Sequence, residues 1–332
     1  MKKAEYAVRG PVPQDVIACV DLVLAPPAAD EVLIEVLAAP INPSDVLTLT
    51  GQYGMLPPLP AVGGNEGIGR VAQVGADVTR LSVGQRVLLP VSSGTWCSHM
   101  LAKASRLVPL PTVGDPLQLS MLTINPPTAW LLLSEFVALE AGDWVIQNAA
   151  NSAVGGYLIQ IAKRRGLRTV NVVRRESAVA AVQEAGGDVV LVDGPDLAKR
   201  VAAATDKAKI KLGIDAVGGS ATEHIAMTVA VGGTVVNYGA MSGEPCSISP
   251  GAFVFRDVTL RGFWLVQWFR TATLEKQQVL FATLTQRIAA GDMSTKIAAT
   301  YALEQIKDAV AAAAAGERDG KIVLTPNTAS LP

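Results

Sequence analysis

The stretch from Trp144 to Arg175, WVIQNAANSAVGGYLIQIAKRRGLRTVNVVRR, constrains the fold of this chain more than any other. Trp144–Asn148 is short and mostly apolar, as suits a buried parallel strand. Asn148 to Ala153 is small and polar, and Asn151 and Ser152 can cap a helix. Val154, Leu158, Ile161 and Ala162 then recur at helical spacing and form one face. Gly166 ends that helix, and Thr169–Val173 is a second, β-branched strand. Strand, tight loop, helix and strand make a βαβ unit, whose first turn aims backbone N–H groups at an anion.

A dinucleotide fingerprint places Gly-x-Gly-x-x-Gly in that turn. Here the three positions hold Ala150, Ser152 and Gly155, so only the last glycine is kept. The context compensates, because the loop follows a strand, opens a helix and precedes further strand–helix alternation. Asn151, Ser152, Ala153, Val154 and Gly155 are therefore the expected phosphate-binding turn. The end of the second strand indicates which dinucleotide. An NAD site places Asp or Glu there, whereas this chain places Arg174, followed by Arg175 and Ser177. A carboxylate would repel a 2′-phosphate and a guanidinium would pair with it, so the cofactor expected is NADPH.

The surrounding chain has two styles. Residues 1 to about 115 read as β-rich, with Val32, Ile34 and Val36 alternating and further strands at Gly67–Val74 and Gln85–Leu89. Pro40, Pro43, Pro57, Pro58 and Pro60 argue against long helices and central strands there, and suggest a barrel with ordered loops. From Leu119 strands and helices alternate: Thr123–Phe136, Ser177–Ala185, Leu197–Ala204 and Thr222–Ala230 as helices, and Val189–Val192, Leu212–Ala216, Thr234–Tyr238 and Val258–Trp264 as strands. This spacing predicts a doubly wound parallel sheet. Helices at Thr273–Ala290 and Leu303–Ala315 and a strand at Lys321–Leu324 return the chain to its first domain. The fold expected is α/β: a β-rich domain from residues 1–122 and 269–332, with a dinucleotide-binding domain, 123–268, inserted in it.

Composition narrows the partners. The formal net charge is −1 and no basic run occurs, so neither a nucleic-acid nor a membrane surface is indicated. Cys19, Cys97 and Cys246 form no Cys-x-x-Cys pair, which argues against a disulfide framework and a structural zinc. No apolar segment follows the lysines of MKKAEYAVRG, and no apolar run is long enough to span a bilayer. The expected location is cytoplasmic.

Four stretches carry a family resemblance: residues 41–75, INPSDVLTLTGQYGMLPPLPAVGGNEGIGRVAQVG; 124–130, INPPTAW; 147–175; and 258–268, VTLRGFWLVQW. Together they resemble the medium-chain dehydrogenase/reductase superfamily, and within it the zinc-free 2-enoyl thioester reductases, also called trans-2-enoyl-CoA reductases. The similarity runs along nearly the whole chain. It implies a GroES-like catalytic domain, a Rossmann domain, NADPH, a homodimer and a role in fatty acid metabolism. The implied substrate is an enoyl thioester linked to coenzyme A or to an acyl carrier protein. Trp130, Ala153, Gly156 and Cys97-Ser98-His99 depart from the usual pattern, which leaves the acyl chain open.

Zinc-dependent relatives hold their metal with a Cys, a His and a third Cys or Asp. The aligned positions here are Asn42, Asn65 and the neighbourhood of Ile124. Amide and aliphatic groups do not replace thiolate and imidazole, so no metal is expected. His99 and His224 stand singly and receive no role. A carbonyl must then be polarised by something else. Tyr53, in Gly51-Gln52-Tyr53-Gly54, is the candidate catalytic donor, since a phenol stays protonated at neutral pH. Its alternative is a packing tyrosine. Asn42 either orients the nicotinamide or carbonyl or is a turn residue before Pro43. Tyr238, Phe263, Trp264 and, near the C-terminus, Lys321 complete the expected cofactor contacts. Trp96, Phe263, Trp264, Trp268 and Phe269 divide between an acyl channel and the core or dimer interface.

Three functions follow. The first is NADPH-dependent hydride transfer to C3 of a trans-2-enoyl thioester. The second is an NADPH:quinone oxidoreductase, although the loop Asn148–Gly155 suits the thioester branch better. The third is a non-catalytic NADPH-binding protein.

Overall fold

The computed structural model describes residues 1–316 and 319–327. The chain divides into two units, Met1–Ile124 joined by residues from Val279 onward, and Asn125–Gln278.

The first unit begins β1 (Lys2–Tyr6), β2 (Ile17–Asp21), β3 (Glu31–Ile41), α1 (Pro43–Thr50), β4 (Ala61–Val62), β5 (Ile68–Val74), β6 (Arg86–Leu88), β7 (His99–Lys103), β8 (Val108–Pro109) and α2 (Pro116–Leu119). The second contains α3 (Asn125–Ser134), β9 (Trp144–Gln147), α4 (Ala153–Arg164), β10 (Arg168–Val173), α5 (Val179–Glu184), β11 (Val189–Val192), α6 (Leu197–Ala204), β12 (Ile210–Asp215), α7 (Ser220–Ala226), β13 (Thr234–Asn237), α8 (Pro250–Arg256), β14 (Thr259–Gly262) and α9 (Leu265–Thr271). After α10 (Leu274–Ala289) the chain adds β15 (Ile297–Tyr301), α11 (Ile306–Ala314) and β16 (Lys321–Leu324).

In the first unit β15, β16, β3, β5, β6 and β8 lie side by side, with β7 on β3, and β2, β1 and β4 form a smaller sheet. This is the GroES-like domain. β3 organises it, pairing with β5, β7 and β16. Pro40 lies inside β3, opposite Val323, against the expectation that proline stays out of central strands. Its missing N–H falls near the strand's end, where one lost bond is tolerated. The same expectation obscured α1. Asn42 is its N-cap, Pro43 occupies the first helical position, and Gly51 closes it at φ 78°, so a proline-rich segment starts a helix.

The core of this unit is gathered by Trp96, fully buried with Tyr6, Ile34, Ile41 and Leu49. A Cβ on Gly63 or Gly64 would collide with the Trp96 indole, so those glycines are there to let the ring in. Of the aromatic residues divided between channel and core, Trp96 belongs to the core.

The second unit is the doubly wound sheet, in order β11-β10-β9-β12-β13-β14 with every neighbouring pair parallel. The order reverses between β9 and β12, the place where such sheets open a crevice at their strand ends. α4 starts where Ser152 Oγ accepts the Gly155 N–H at 3.1 Å and stops before Gly166, at φ 70°. The segment read as one helix from Ser177 is a 3₁₀ turn, Glu176–Ala178, followed by α5. The short helices α8 and α9 carry no long periodic pattern and do not show in the sequence. Among the described residues no helix is long and apolar enough to cross a membrane.

Trp96→Ala should empty the space its two glycines create. A loss of about 3–5 kcal/mol in unfolding free energy, read by denaturant titration, is the expected outcome.

Candidate functional site

In the second unit the strand ends are tied by one carboxylate. Asp215 closes β12 and is fully buried. Its Oδ1 accepts from Asn148 Nδ2 at 2.6 Å, Val217 N at 2.8 Å and Gly218 N at 3.1 Å. Its Oδ2 accepts from Thr222 Oγ1 at 2.7 Å and Asn237 Nδ2 at 2.9 Å. Asn148 returns its own oxygen to Ala216 N at 2.7 Å. These bonds bridge β9 and β12 across the switch point and fix the residue from which the phosphate loop departs. Neither Asp215 nor Asn148 was singled out from the sequence. The only signal was an acid ending an otherwise apolar strand, KLGIDAV.

The loop itself is tight. Ala149 adopts φ 47°, a left-handed conformation that a glycine would take without strain. A Cβ on Gly155 would stand 2.5 Å from the Ala150 carbonyl oxygen, so the surviving fingerprint glycine brings helix and strand together. Around Gly156 there is open space. The Ser152 hydroxyl is committed to Gly155 N and to the Tyr238 phenol. Burial pushes that phenol up from its ordinary range. The amides of Ala153 and Val154 begin α4 at its positive end. Arg174, Arg175 and Ser177 follow β10 directly, Arg174 and Ser177 exposed and Arg175 half-buried. Phe263 N donates to Asn237 O at 2.8 Å and its ring meets Phe136 edge-on at 5.7 Å. Trp264 caps α9 and is 37% exposed. Asn151 is exposed at the turn.

The first unit holds a second buried network. Lys321 is 4% exposed, and its ammonium donates to Ile41 O at 3.0 Å and Asn42 Oδ1 at 2.6 Å. Asn42 Nδ2 donates to Glu66 Oε1 at 2.8 Å, and Thr123 Oγ1 to Glu66 Oε2 at 2.9 Å. Thr95 Oγ1 holds the Glu66 carbonyl at 2.7 Å. Asn42 N donates to Asp45 Oδ2 at 2.7 Å. Burial raises the Glu66 carboxyl, opposed chiefly by the Lys321 ammonium. Burial likewise pushes Asp45 up to about 7, against the Asn42 N–H and Lys321. Glu66 thus joins three segments.

Tyr53 stands at the other end of α1. Gln52 N and Tyr53 N donate to Leu47 O at 2.8 and 3.2 Å, and Arg9 reaches across to the Pro57 carbonyl. The structure therefore brings Asn42 and Lys321 together and places Tyr53 one helix away, half-buried on a loop strapped at both ends. The histidines are engaged elsewhere, His99 Nδ1 with Ser98 Oγ at 3.2 Å and His224 Nδ1 with Asp193 Oδ1 at 2.8 Å.

Residues 28–114 match the family described as alcohol dehydrogenase GroES-like domain, and residues 153–280 match zinc-binding dehydrogenase. A human mitochondrial enoyl-[acyl-carrier-protein] reductase is 36% identical over 94% of this chain and 86% of its own. The solved complex of Etr1p with NADP and crotonyl-CoA superposes with a TM-score of 0.85 at 26% identity, covering 98% of this chain and 99% of that one. A mycobacterial quinone oxidoreductase superposes with a TM-score of 0.83 at 28% identity, covering 98% and 100%.

The second family description implies a zinc ion, and the residues do not fit one. The Asn42 amide is spent on Glu66 and a lysine ammonium, and Asn65 Oδ1 accepts from Ser92 Oγ at 3.1 Å. Among the described residues no three His, Cys, Asp or Glu side chains are placed to hold a metal.

Asp45 makes a pH prediction. A carboxyl at about 7 when folded and near 4 when unfolded binds an extra proton in the folded state across that window, so its contribution to stability falls as pH rises. Asp45→Asn keeps an acceptor and removes the titration. Between about pH 4 and pH 8 the stability difference should move toward the variant by roughly 2–4 kcal/mol, measured by denaturation at each pH.

Proposed function

The chain belongs to the medium-chain dehydrogenase/reductase superfamily, and from that membership we propose that it reduces the carbon–carbon double bond of 2-enoyl thioesters with NADPH. The observation that carries this reading is the match along 94% of the chain to an enoyl-[acyl-carrier-protein] reductase. The solved relative whose complex contains NADP and crotonyl-CoA supports the same pair of ligands.

The α4 N-terminus, with Asn151 to Gly155 before and within it, suits the pyrophosphate, and the open space at Gly156 leaves room for it. Arg174, with Arg175 and Ser177, would take the 2′-phosphate. Tyr238, through Ser152, would hold the loop in shape. When bound, NADPH supplies the hydride that adds to C3 of the substrate. Negative charge then collects on the thioester oxygen, and a preorganised donor at that oxygen lowers the barrier. The Tyr53 hydroxyl would donate there and, directly or through a water, pass a proton toward C2. Apolar surroundings that exclude water would strengthen such a bond.

The likeness to a quinone oxidoreductase favours a second reading, quinone reduction on the same fold. NADPH oxidation measured across enoyl thioesters of graded length and a set of quinones separates the two. Turnover of quinones without crotonyl-CoA would reverse the assignment.

Tyr53→Phe should lower kcat for crotonyl-CoA by about 10²–10³ with NADPH affinity unchanged, and an unaltered rate would return Tyr53 to a packing role. Arg174→Asp removes one charge-assisted partner and adds repulsion, so the preference for NADPH over NADH should fall about tenfold or more in steady-state kinetics with each cofactor.

A further inference from the structure

A buried ammonium is stable only with acceptors and a counter-charge nearby. Lys321 has both within the first unit. Its acceptors are Ile41 O and Asn42 Oδ1. Its counter-charge is Glu66, fully buried and reached through the Asn42 amide. The amide lies between cation and anion with its oxygen toward the lysine and its nitrogen toward the carboxylate. Turned over, it would set its NH₂ against an ammonium and its oxygen against a carboxylate, so the lysine fixes which way Asn42 faces. Glu66 then receives Thr123. Four segments distant in sequence, at 41–42, 66, 123 and 321, are held around one positive charge.

Asn42 is also the first residue of α1, and Tyr53 is bonded through its amide to Leu47 in the last turn of that helix. A short helix moves as a rod, so what fixes Asn42 at one end fixes the seat of Tyr53 at the other.

We propose that Lys321 is a positioning residue for the reaction: its ammonium is the internal cation that orients the Asn42–Glu66 pair and, through α1, sets where Tyr53 stands. This rests on the enoyl reductase reading. It also accounts for the misfit with zinc. The segments that carry Asn42, Glu66 and Thr123 are those aligned with metal-binding positions of relatives, and here a lysine's single charge gathers them.

The test is a two-residue cycle. Lys321→Met keeps the bulk and removes the charge, leaving Glu66 buried without its counter-ion. Lys321→Met with Glu66→Gln removes both charges and leaves a neutral, hydrogen-bonded side chain. The expected thermal result is a lower melting temperature for the single variant and recovery of most of that loss in the double variant, whereas a packing role predicts losses that add. The expected kinetic result is that the refolded double variant still turns over crotonyl-CoA at least about tenfold more slowly at saturating NADPH, and that adding Tyr53→Phe to it lowers kcat far less than Tyr53→Phe lowers that of the unmodified chain. Additive thermal losses overturn the internal cation. Recovery of kcat together with stability overturns the positioning role, because Lys321 would then be a structural counter-ion alone. If the unmodified chain turns over no enoyl thioester, the functional reading fails by itself, and the thermal cycle still decides the internal cation.

Discussion

A carboxylate taken out of water has to be given donors, and each unit of this chain spends much of its polar chemistry on that need. Asp215 draws donors from the ends of β9, β12 and β13 and from the start of α7. Glu66 draws them from the start of α1 and from the segment after α2, with Lys321 balancing its charge. Neither acid could be left short without a cost that rivals the stability of a domain. The segments that supply those donors are for that reason held in register, and the phosphate loop and the tyrosine loop depart from them.

The two acids solve the problem differently. Asp215 is satisfied by five neutral donors, two of them backbone amides in the turn that follows it. That arrangement suits a rigid hinge point in a sheet whose strands all run one way. Glu66 instead sits in a chain of alternating partners ending in an ammonium, with a second acid, Asp45, close enough to share the same cation. In the first unit one positive charge thus offsets the burial of two carboxyls.

Much of this architecture was legible in the sequence. The 144–175 stretch gives its strand, cap, helix and strand at the expected residues, because the apolar spacing and the Ser152 cap act locally. The parallel sheet followed from alternation alone. What stayed hidden depends on distance. Lys321 and Asn42 are 279 positions apart, and no local pattern marks a lysine that will be buried. Asp215 looks like any strand-ending acid until Asn148 and Asn237 close on it. The α1 helix was hidden for another reason: the prolines of its region argue against long helices, while Pro43 falls at the one helical position that welcomes it.

The packing of Trp96 has a consequence for how this chain can change over generations. Its indole lies where side chains at positions 63 and 64 would begin, and its Nε1 reaches the Pro40 carbonyl in β3 at 3.4 Å. No single step can add a carbon to either glycine while the ring remains, and removing the ring alone opens a hole in the core. The three positions form a valley with steep walls: any lineage that leaves it has to cross an unstable intermediate or alter two sites at once. Variation in the loop before Glu66 is thereby limited by a residue thirty positions downstream in the core, quite apart from what that loop does for chemistry.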